Sequence, residues 1–297
     1  MVQPFKHVAI FGKPSAEGIR EPLEAIARIV EKKGLMPMFD AATRDLVGLT
    51  EYPGYTVDAL GKKADVAVVL GGDGTLLGIA RDLSRHGIPL IGINHGRLGF
   101  MTDIALDQMP EVLSAMLDGR YETDRRALLE AQILRAGKAV FRARAVNDVV
   151  VSRGSTGGMV EFTVRVDGVT IYNQRADGLI LATPTGSTAY ALSANGPILH
   201  PSLAGQVLVP VAPQTLSNRP IALPDDAVVE IEITDVRDAA AHFDMQTFSL
   251  LEPGDIVHSR RSADHIALLH PVGYNYFETL RQKLHWNVMP SEPHTRA

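Results

Sequence analysis

A chain of 297 residues, 45% hydrophobic and 21% charged, has the composition of a globular protein long enough for two domains, which excludes an intrinsically disordered one. A formal net charge of −5 with a pI near 6.1 excludes the basic footprint of a nucleic-acid binder, so an anionic ligand must be met by local groups. With no cysteine there is no disulfide framework, thiolate metal site or cysteine nucleophile. No apolar run approaches the ~18 residues of a membrane span, and Met1-Val2-Gln3-Pro4-Phe5-Lys6-His7 lacks a signal pattern, so the expectation is a cytoplasmic protein without nucleic-acid or membrane partners.

Val8-Ala9-Ile10-Phe11 reads as a buried strand, followed by a helix from about Gly18 to Lys33 with Ile19, Leu23, Ile26 and Val30 on one face and Gly34 at its end. Met36 to Phe39 resumes as a strand, giving β-α-β, and residues 40–55 read as a surface loop with a Pro53-Gly54 turn. The run Val66-Ala67-Val68-Val69-Leu70 then stops at Gly71-Gly72-Asp73-Gly74-Thr75, and Leu76 to His86 has helix length with Gly87 to cap it. Glycines at a strand-to-helix corner permit positive φ and let a ligand approach the backbone, and the helix start favours phosphate. Asp73 is the odd member: a carboxylate beside a polyphosphate repels it unless a divalent cation intervenes or the acid serves an incoming hydroxyl, so the corner points to phosphoryl transfer. It matches neither G-x-G-x-x-G nor G-x-x-x-x-G-K-S/T, and a glycine-rich corner alone is also compatible with a tight turn.

Pro89 to Ile93 is another buried strand, ending in a second glycine-rich corner, Asn94-His95-Gly96-Arg97-Leu98-Gly99-Phe100, and a helix follows around Met109 to Leu117. Strands alternating with helices predict a parallel sheet that binds ligands beyond the carboxyl ends of its strands. From Tyr121 the texture changes to short alternating segments. Leu128 to Leu134 and Ala139 to Val146 bracket Ala136-Gly137-Lys138, and Glu161 to Val166 and Val169 to Tyr172 bracket Asp167-Gly168, both hairpin signals. Val228 to Ile233 and Ile266 to Leu269 continue the style, and Tyr274 to Leu284 reads as a last amphipathic helix. The expected organisation is an α/β domain over 1–122, a β-rich domain over 123–271, a helix within 272–290 that packs back on the first domain, and a frayed tail over 291–297.

Within the β-rich half, the strand ending at Ala182 runs into Thr183-Pro184-Thr185-Gly186-Ser187-Thr188-Ala189-Tyr190, whose hydroxyls suit phosphate or ribose oxygens and whose Tyr190 suits a base; a hydroxyl-capped helix start explains the same residues. Asn147-Asp148 can hydrogen-bond an adenine edge or a ribose diol, or simply form a turn. Arg175 and Asp177, and likewise Asp244 and Gln246, stand two apart, which on a regular strand places each pair on one face, for a ligand or a salt bridge. The ten histidines show no metal-ligand spacing, and His95 reads as a loop hydrogen-bonder.

Taken in order, Gly71-Gly72-Asp73-Gly74-Thr75, Asn94 to Phe100, Asn147-Asp148, Asp177-Gly178, Thr183 to Tyr190 and Gly196-Pro197-Ile198-Leu199 resemble the bacterial NAD kinases over nearly the whole chain. The first segment is shared with diacylglycerol and sphingosine kinases; the hydroxyl-rich segment followed by Gly-Pro-Ile is narrower. The resemblance implies a Rossmann-like α/β domain, a β-sandwich-like domain, and a dinucleotide held between them. It implies that ATP donates its γ-phosphoryl to the 2′-hydroxyl of the adenosine ribose of NAD, giving NADP, with a divalent cation, Mg²⁺, carried by ATP rather than by a fixed protein site. By the same resemblance Asp73 faces that hydroxyl with Gly72, Gly74 and Thr75 beside it, and Asn147, Asp148, Arg175, Asp177, Thr188, Ala189, Tyr190, Ala191, Leu192, Ser193, Ala212 and Gln246 bind the dinucleotide, in a homodimer or homotetramer. Gly157-Gly158 stands where some relatives carry a basic or imidazole side chain, a departure that bears on contacts from that loop. Two other readings fit parts of the pattern: a lipid kinase, which needs an apolar groove, and a non-catalytic dinucleotide sensor, which does better without the Asp73 charge.

Overall fold

The structure is a computed structural model that describes residues 5–13, 18–96, 99–155 and 158–286. The chain divides into two compact units, one made of residues up to Asp124 together with those from Ala267 onward, the other of Arg125–Ile266.

The first unit is a parallel sheet with helices. Its strands lie in the order Gly54–Tyr55, Met36–Asp40, His7–Gly12, Val66–Gly71, Leu90–Asn94, with Ile104–Ala105 added beyond the last. Leu268 of the strand Ile256–Pro271 also pairs parallel with Leu90. Every residue of Val66–Gly71 is buried, as a strand covered on both faces requires, and this explains an unbroken aliphatic run instead of an alternating one. The helix Arg20–Lys32 packs Leu23, Ile26, Ala27 and Val30 against the sheet, each fully buried, and each of the larger three contributes about 1.5–3 kcal/mol by leaving water. His7–Gly12 pairs with Met36–Asp40 on one side and Val66–Gly71 on the other, so the winding of the chain reverses between Gly12 and Gly71, where doubly wound sheets open a crevice.

Two local elements differ from the sequence expectation. The helix at the central corner is Asp73–Leu83, beginning three residues before Leu76 and continued by a 3₁₀ turn at Ser84–His86, with Gly87 capping in the left-handed region. The supposed loop 40–55 contains the helix Ala41–Val47, capped when Asp40 accepts from the Thr43 amide at 2.9 Å and closed by Gly48 at φ 69°, and the short strand Gly54–Tyr55. A seven-residue helix is too short for its apolar period to register, so only its caps signalled it.

The second unit packs two antiparallel sheets face to face. One has the order Ile221–Pro224, Gly205–Val211, Gly178–Ala182, Asp148–Arg153, Ala239–Phe243, Thr247–Leu250. In the other, Val169–Ala176, Val160–Val166 and Val229–Asp235 lie side by side, followed by residues 256–259. Val149, Val151, Leu179, Leu181 and Ala241 from the first sheet share one core with Phe162, Val164, Ile231, Ile233 and Val257 from the second, the arrangement of a β-sandwich. The outer face of the six-stranded sheet is covered in turn by Ala191 and Leu199, packed on Val150, Ile180, Val207 and Val209. Both expected hairpin turns form, with Ala136 and Gly137 at φ 48° and 76° and Asp167 and Gly168 at φ 51° and 78°, the two left-handed residues of a type I′ turn. The last helix is Tyr276–Leu284, its start fixed by Asn275 accepting from the Phe277 amide; the expected tail at 291–297 lies outside the described residues.

Candidate active site

The first corner is built around Asp73, the first residue of its helix, with Gly72 as the extended cap at φ −103°. Gly71, Gly72 and Gly74 are not in the left-handed region, so conformational freedom is not their use, contrary to the sequence expectation. Among the described residues a Cβ on Gly72 or Gly74 would meet nothing within 4 Å, so these positions keep space at a helix N-terminus. Gly71 differs, because a Cβ there would lie 2.8 Å from the Thr75 side chain.

Among the described residues the Asp73 carboxylate accepts four hydrogen bonds from one loop. The Phe100 amide donates to Oδ2 at 2.6 Å; the Met101 amide at 3.1 Å, the Thr102 amide at 3.0 Å and the Thr102 hydroxyl at 2.9 Å all donate to Oδ1. Asn94, buried at the end of its strand, donates from Nδ2 to Thr102 Oγ1 at 2.8 Å and accepts from the Gly96 amide at Oδ1. The loop comes this close because residue 99 has no side chain: a Cβ on Gly99 would stand 1.9 Å from Asp73 Oδ1. Behind Thr102, Asp103 Oδ2 lies 2.8 Å from Nδ1 of the buried His270, whose ring stacks on Tyr274 at 3.8 Å. Sequence inspection missed Thr102, Asp103 and His270; the second glycine corner was the available signal, but it does not say which carboxylate the loop wraps.

The second corner, at Asn147-Asp148, is set by Asp244. That carboxylate accepts from the amides of Val146 at 3.0 Å, Asn147 at 2.7 Å and Asp148 at 3.3 Å, while its own amide donates to the Asp148 carbonyl at 3.0 Å. Asp244 and Met245, both at φ 54°, form the turn between the strands Ala239–Phe243 and Thr247–Leu250. Asp244 and Gln246 are therefore turn residues and do not share a strand face; Gln246 is exposed and donates its amide to the Phe243 carbonyl. Asp148 is 2% exposed, and its Oδ1 has no hydrogen-bond partner among the described residues. Burial, and then the neighbouring Asp244 charge, pushes its carboxyl up to about 7. At neutral pH the corner thus holds one carboxylate satisfied by backbone amides and one carboxyl able to donate or accept.

The hydroxyl-rich segment folds onto this corner. The Thr183 amide donates to the Asn147 carbonyl at 2.9 Å and its hydroxyl to the Val146 carbonyl at 2.6 Å, while a Cβ on Gly186 would stand 2.0 Å from the Asn147 carbonyl oxygen. Most of its hydroxyls are engaged in hydrogen bonds within the protein. Ser187 donates to the Pro184 carbonyl and accepts from the Leu199 amide, and Thr185 accepts from the buried Arg126. Thr188 and Ala189 are half-buried, Tyr190 and Ser193 exposed and Leu192 half-buried, whereas Ala191 is a fully buried core residue.

Arg175 and Asp177 do not lie on one strand. The chain leaves the strand Val169–Ala176 of one sheet and enters Gly178–Ala182 of the other between them. Arg175 pairs with Glu161 at 2.7 Å and Asp177 with Arg153 at 2.8 Å. The Asp177 amide donates to Val211, beside the exposed Ala212 at φ 44°. Gly178 pairs with Val211 and Ala182 with Asp148, so Gly178, the neighbour of Asp177, sits about 13 Å along a strand from Asp148, and Arg175, Asp177 and Ala212 lie beyond it. Gly158 is left-handed at φ 96° and Gly157 lies outside the described residues. Among the described residues no group of three or more His, Asp or Glu side chains is placed to hold a metal ion, and no helix is long and apolar enough to cross a membrane.

Two family models match the chain in succession, the ATP-NAD kinase N-terminal domain over residues 8–121 and the ATP-NAD kinase C-terminal domain over residues 146–270. The NAD kinase of Cupriavidus pinatubonensis is 58% identical over 289 residues, covering 97% of this chain and 95% of that one. The chain belongs to the NAD kinase family. The NAD kinase of Paraburkholderia phytofirmans is 56% identical, over 97% of this chain and 96% of its own length. Among solved structures, yeast NADH kinase complexed with NADH superposes with a TM-score of 0.88 at 24% identity, over 99% of this chain and 91% of that one. The Archaeoglobus fulgidus NAD kinase in complex with ATP gives 0.74 at 24% identity, over 94% and 98%. These two establish the fold, an α/β part followed by a β-rich part. The lipid-kinase and sensor readings have no support beside the family match, which takes in both corners, not the glycine–acid one alone.

Proposed function

We propose that this NAD kinase transfers the γ-phosphoryl of ATP to the 2′-hydroxyl of the adenosine ribose of NAD, with Asp73 as the proton acceptor. The observation that carries the reading is a carboxylate at a helix N-terminus, flanked by two glycines at which an added Cβ would meet none of the described residues within 4 Å, in a chain of this family. In the step, the 2′-oxygen forms a bond to the γ-phosphorus and the bond from that phosphorus to the β,γ-bridging oxygen breaks. Its electron pair leaves with ADP, and the hydroxyl proton passes to Asp73. Prior deprotonation is unnecessary: in a loose transition state the attacking oxygen gains bond order late, so positioning and late proton acceptance suffice. The donor is ATP complexed with a divalent cation, Mg²⁺, entering as substrate.

In the second unit, Asn147 and the Asp148 carboxyl are the polar groups assigned to the dinucleotide, with Thr188, Ala189, Tyr190 and Ser193 alongside. Thr183, Thr185 and Ser187 hold that surface from below. Leu192 and Gln246 border it, Ala191 supports it from the core, and Arg175, Asp177 and Ala212 are assigned to a separate part of the ligand. The protein is assigned to self-association as well. Thr247–Leu250 is the edge of its sheet and exposes Phe248 and Leu250 at 60% and 63%, an edge that a second copy would cover; light scattering reporting a monomer at micromolar concentration would remove that assignment. The activity is checked with purified protein, NAD, ATP and Mg²⁺ coupled to an NADP-specific dehydrogenase. Reduced NADP is expected only when all three are present, and its absence overturns the reading.

A further inference from the structure

We infer that Thr102 is a positioning residue that divides the labour between the two oxygens of Asp73, holding Oδ1 so that Oδ2 takes the hydroxyl proton. The inference rests on the reading of Asp73 as proton acceptor. A carboxylate offers about four acceptor directions, two on each oxygen. Among the described residues Oδ1 takes three donors, from Met101 and twice from Thr102, and is saturated, and Oδ2 takes one, the Phe100 amide. Asp73 is half-buried, and by donor count the oxygen with an acceptor direction left for an incoming hydroxyl is Oδ2.

The direction of the Thr102 hydroxyl proton follows from its neighbours. Asn94 Oδ1 is identified as the oxygen because the Gly96 amide donates to it, which leaves Nδ2 facing Thr102. An amide nitrogen only donates, so Thr102 Oγ1 accepts from Asn94 and its own proton is committed to Asp73. Thr102 is fully buried and Asn94 3% exposed, so water cannot replace either group. The loop is also held at its back. A Cβ on Gly92 would lie 3.1 Å from Thr102 Cα, and the next residue, Asp103, is tied to the buried His270. The Asp73 carboxylate is therefore oriented by a chain that starts at the exposed Gly96 amide and runs through the buried Asn94 to the buried Thr102, as a preorganised site requires.

The test uses the full chain and measures kcat, KM for NAD and ATP, the Kd of NAD and the thermal midpoint. Thr102→Val keeps the shape of the side chain and removes the hydroxyl; kcat is expected to fall about 10- to 100-fold with both KM values within about two-fold. Thr102→Ser restores the hydroxyl, and kcat is expected to return to within about three-fold of the parent. Losses in both variants that follow the thermal midpoint show a merely structural threonine and overturn the inference, as does a Thr102→Val enzyme with unchanged kcat. Should Thr102→Val not fold, Asn94→Asp decides. It places an acceptor where Nδ2 donated and draws the Thr102 proton away from Asp73, so its kcat is expected to drop about ten-fold, and unchanged turnover contradicts the relay. Asp73→Ala separates the two levels of the argument. If that variant keeps its kcat, the reading of Asp73 falls and the inference with it; if it is inactive while Thr102→Val is normal, the inference alone falls.

Discussion

Two aspartates, Asp73 and Asp148, occupy strand-end corners of the two units and meet opposite environments. Asp73 is half-buried and receives three backbone amides and a hydroxyl, a surrounding that orients an anionic acceptor. Asp148 is buried, with Oδ1 unpartnered among the described residues and the Asp244 carboxylate close by, so its carboxyl rises to about 7. The donors that could have satisfied it, the amides of residues 146–148, are spent on Asp244. The contrast teaches that the residue type says little about the role: where the neighbouring N–H groups point decides which acid is a fixed acceptor and which is a proton-exchanging contact.

The comparison is broken most severely at Asp73. Asp73→Asn is expected to lower kcat by about 10³-fold with the Kd of NAD unchanged. Because an amide nitrogen set against the Phe100 amide or the Thr102 hydroxyl donates where an acceptor is needed, the thermal midpoint should fall as well. Turnover equal to the parent would remove Asp73 from the chemistry.

Asp148 gives the next largest effect, with a pH signature. Its folded value, about 7, lies above the ordinary 3.8, so the protonated form suits the fold and the group weakens the unliganded protein as pH rises from about 4 to about 7. Asp148→Asn cannot ionise. Its thermal stability should match the parent near pH 4 and exceed it above pH 7, by an amount on the order of 4 kcal/mol at most. A pH-independent difference between the two proteins contradicts the assigned environment.

Glycines sharpen the same contrast. Gly186→Ala drives a methyl into the Asn147 carbonyl and is expected to lower stability by about 1–3 kcal/mol. Gly74→Ala meets none of the described residues within 4 Å and should leave the thermal midpoint nearly unchanged while raising KM for ATP or NAD, as steady-state kinetics will show. The smallest effect is expected at Met245, exposed and held at φ 54° in the turn that presents Asp244. Met245→Gly should stabilise by about 1 kcal/mol, because left-handed backbone costs glycine little; a lower midpoint would mean that the side chain contributes more than its backbone strain.

Much of the architecture was legible in the sequence because it is local or periodic. The aliphatic run before Gly71, the amphipathic helix ending at Gly34 and the hairpin turns at Ala136-Gly137 and Asp167-Gly168 follow from burial and from backbone preferences within a few residues. The short helix Ala41–Val47 escaped because seven residues hold barely two turns. Spacing misled at Arg175 and Asp177, where the chain changes sheets, and at Asp244 and Gln246, where it turns.

By itself the sequence determined an α/β part followed by a β-rich part, a family, and an acid set among glycines at a strand end, since each depends on residue order alone. Only the tertiary structure decided which donors meet that acid. Phe100, Met101 and Thr102 lie almost thirty residues beyond Asp73, and Asp244 lies nearly a hundred beyond Asp148. Hydrogen bonds act over about 3 Å of space whatever the separation along the chain, so the chemistry of each carboxylate exists only once distant loops have been brought to it.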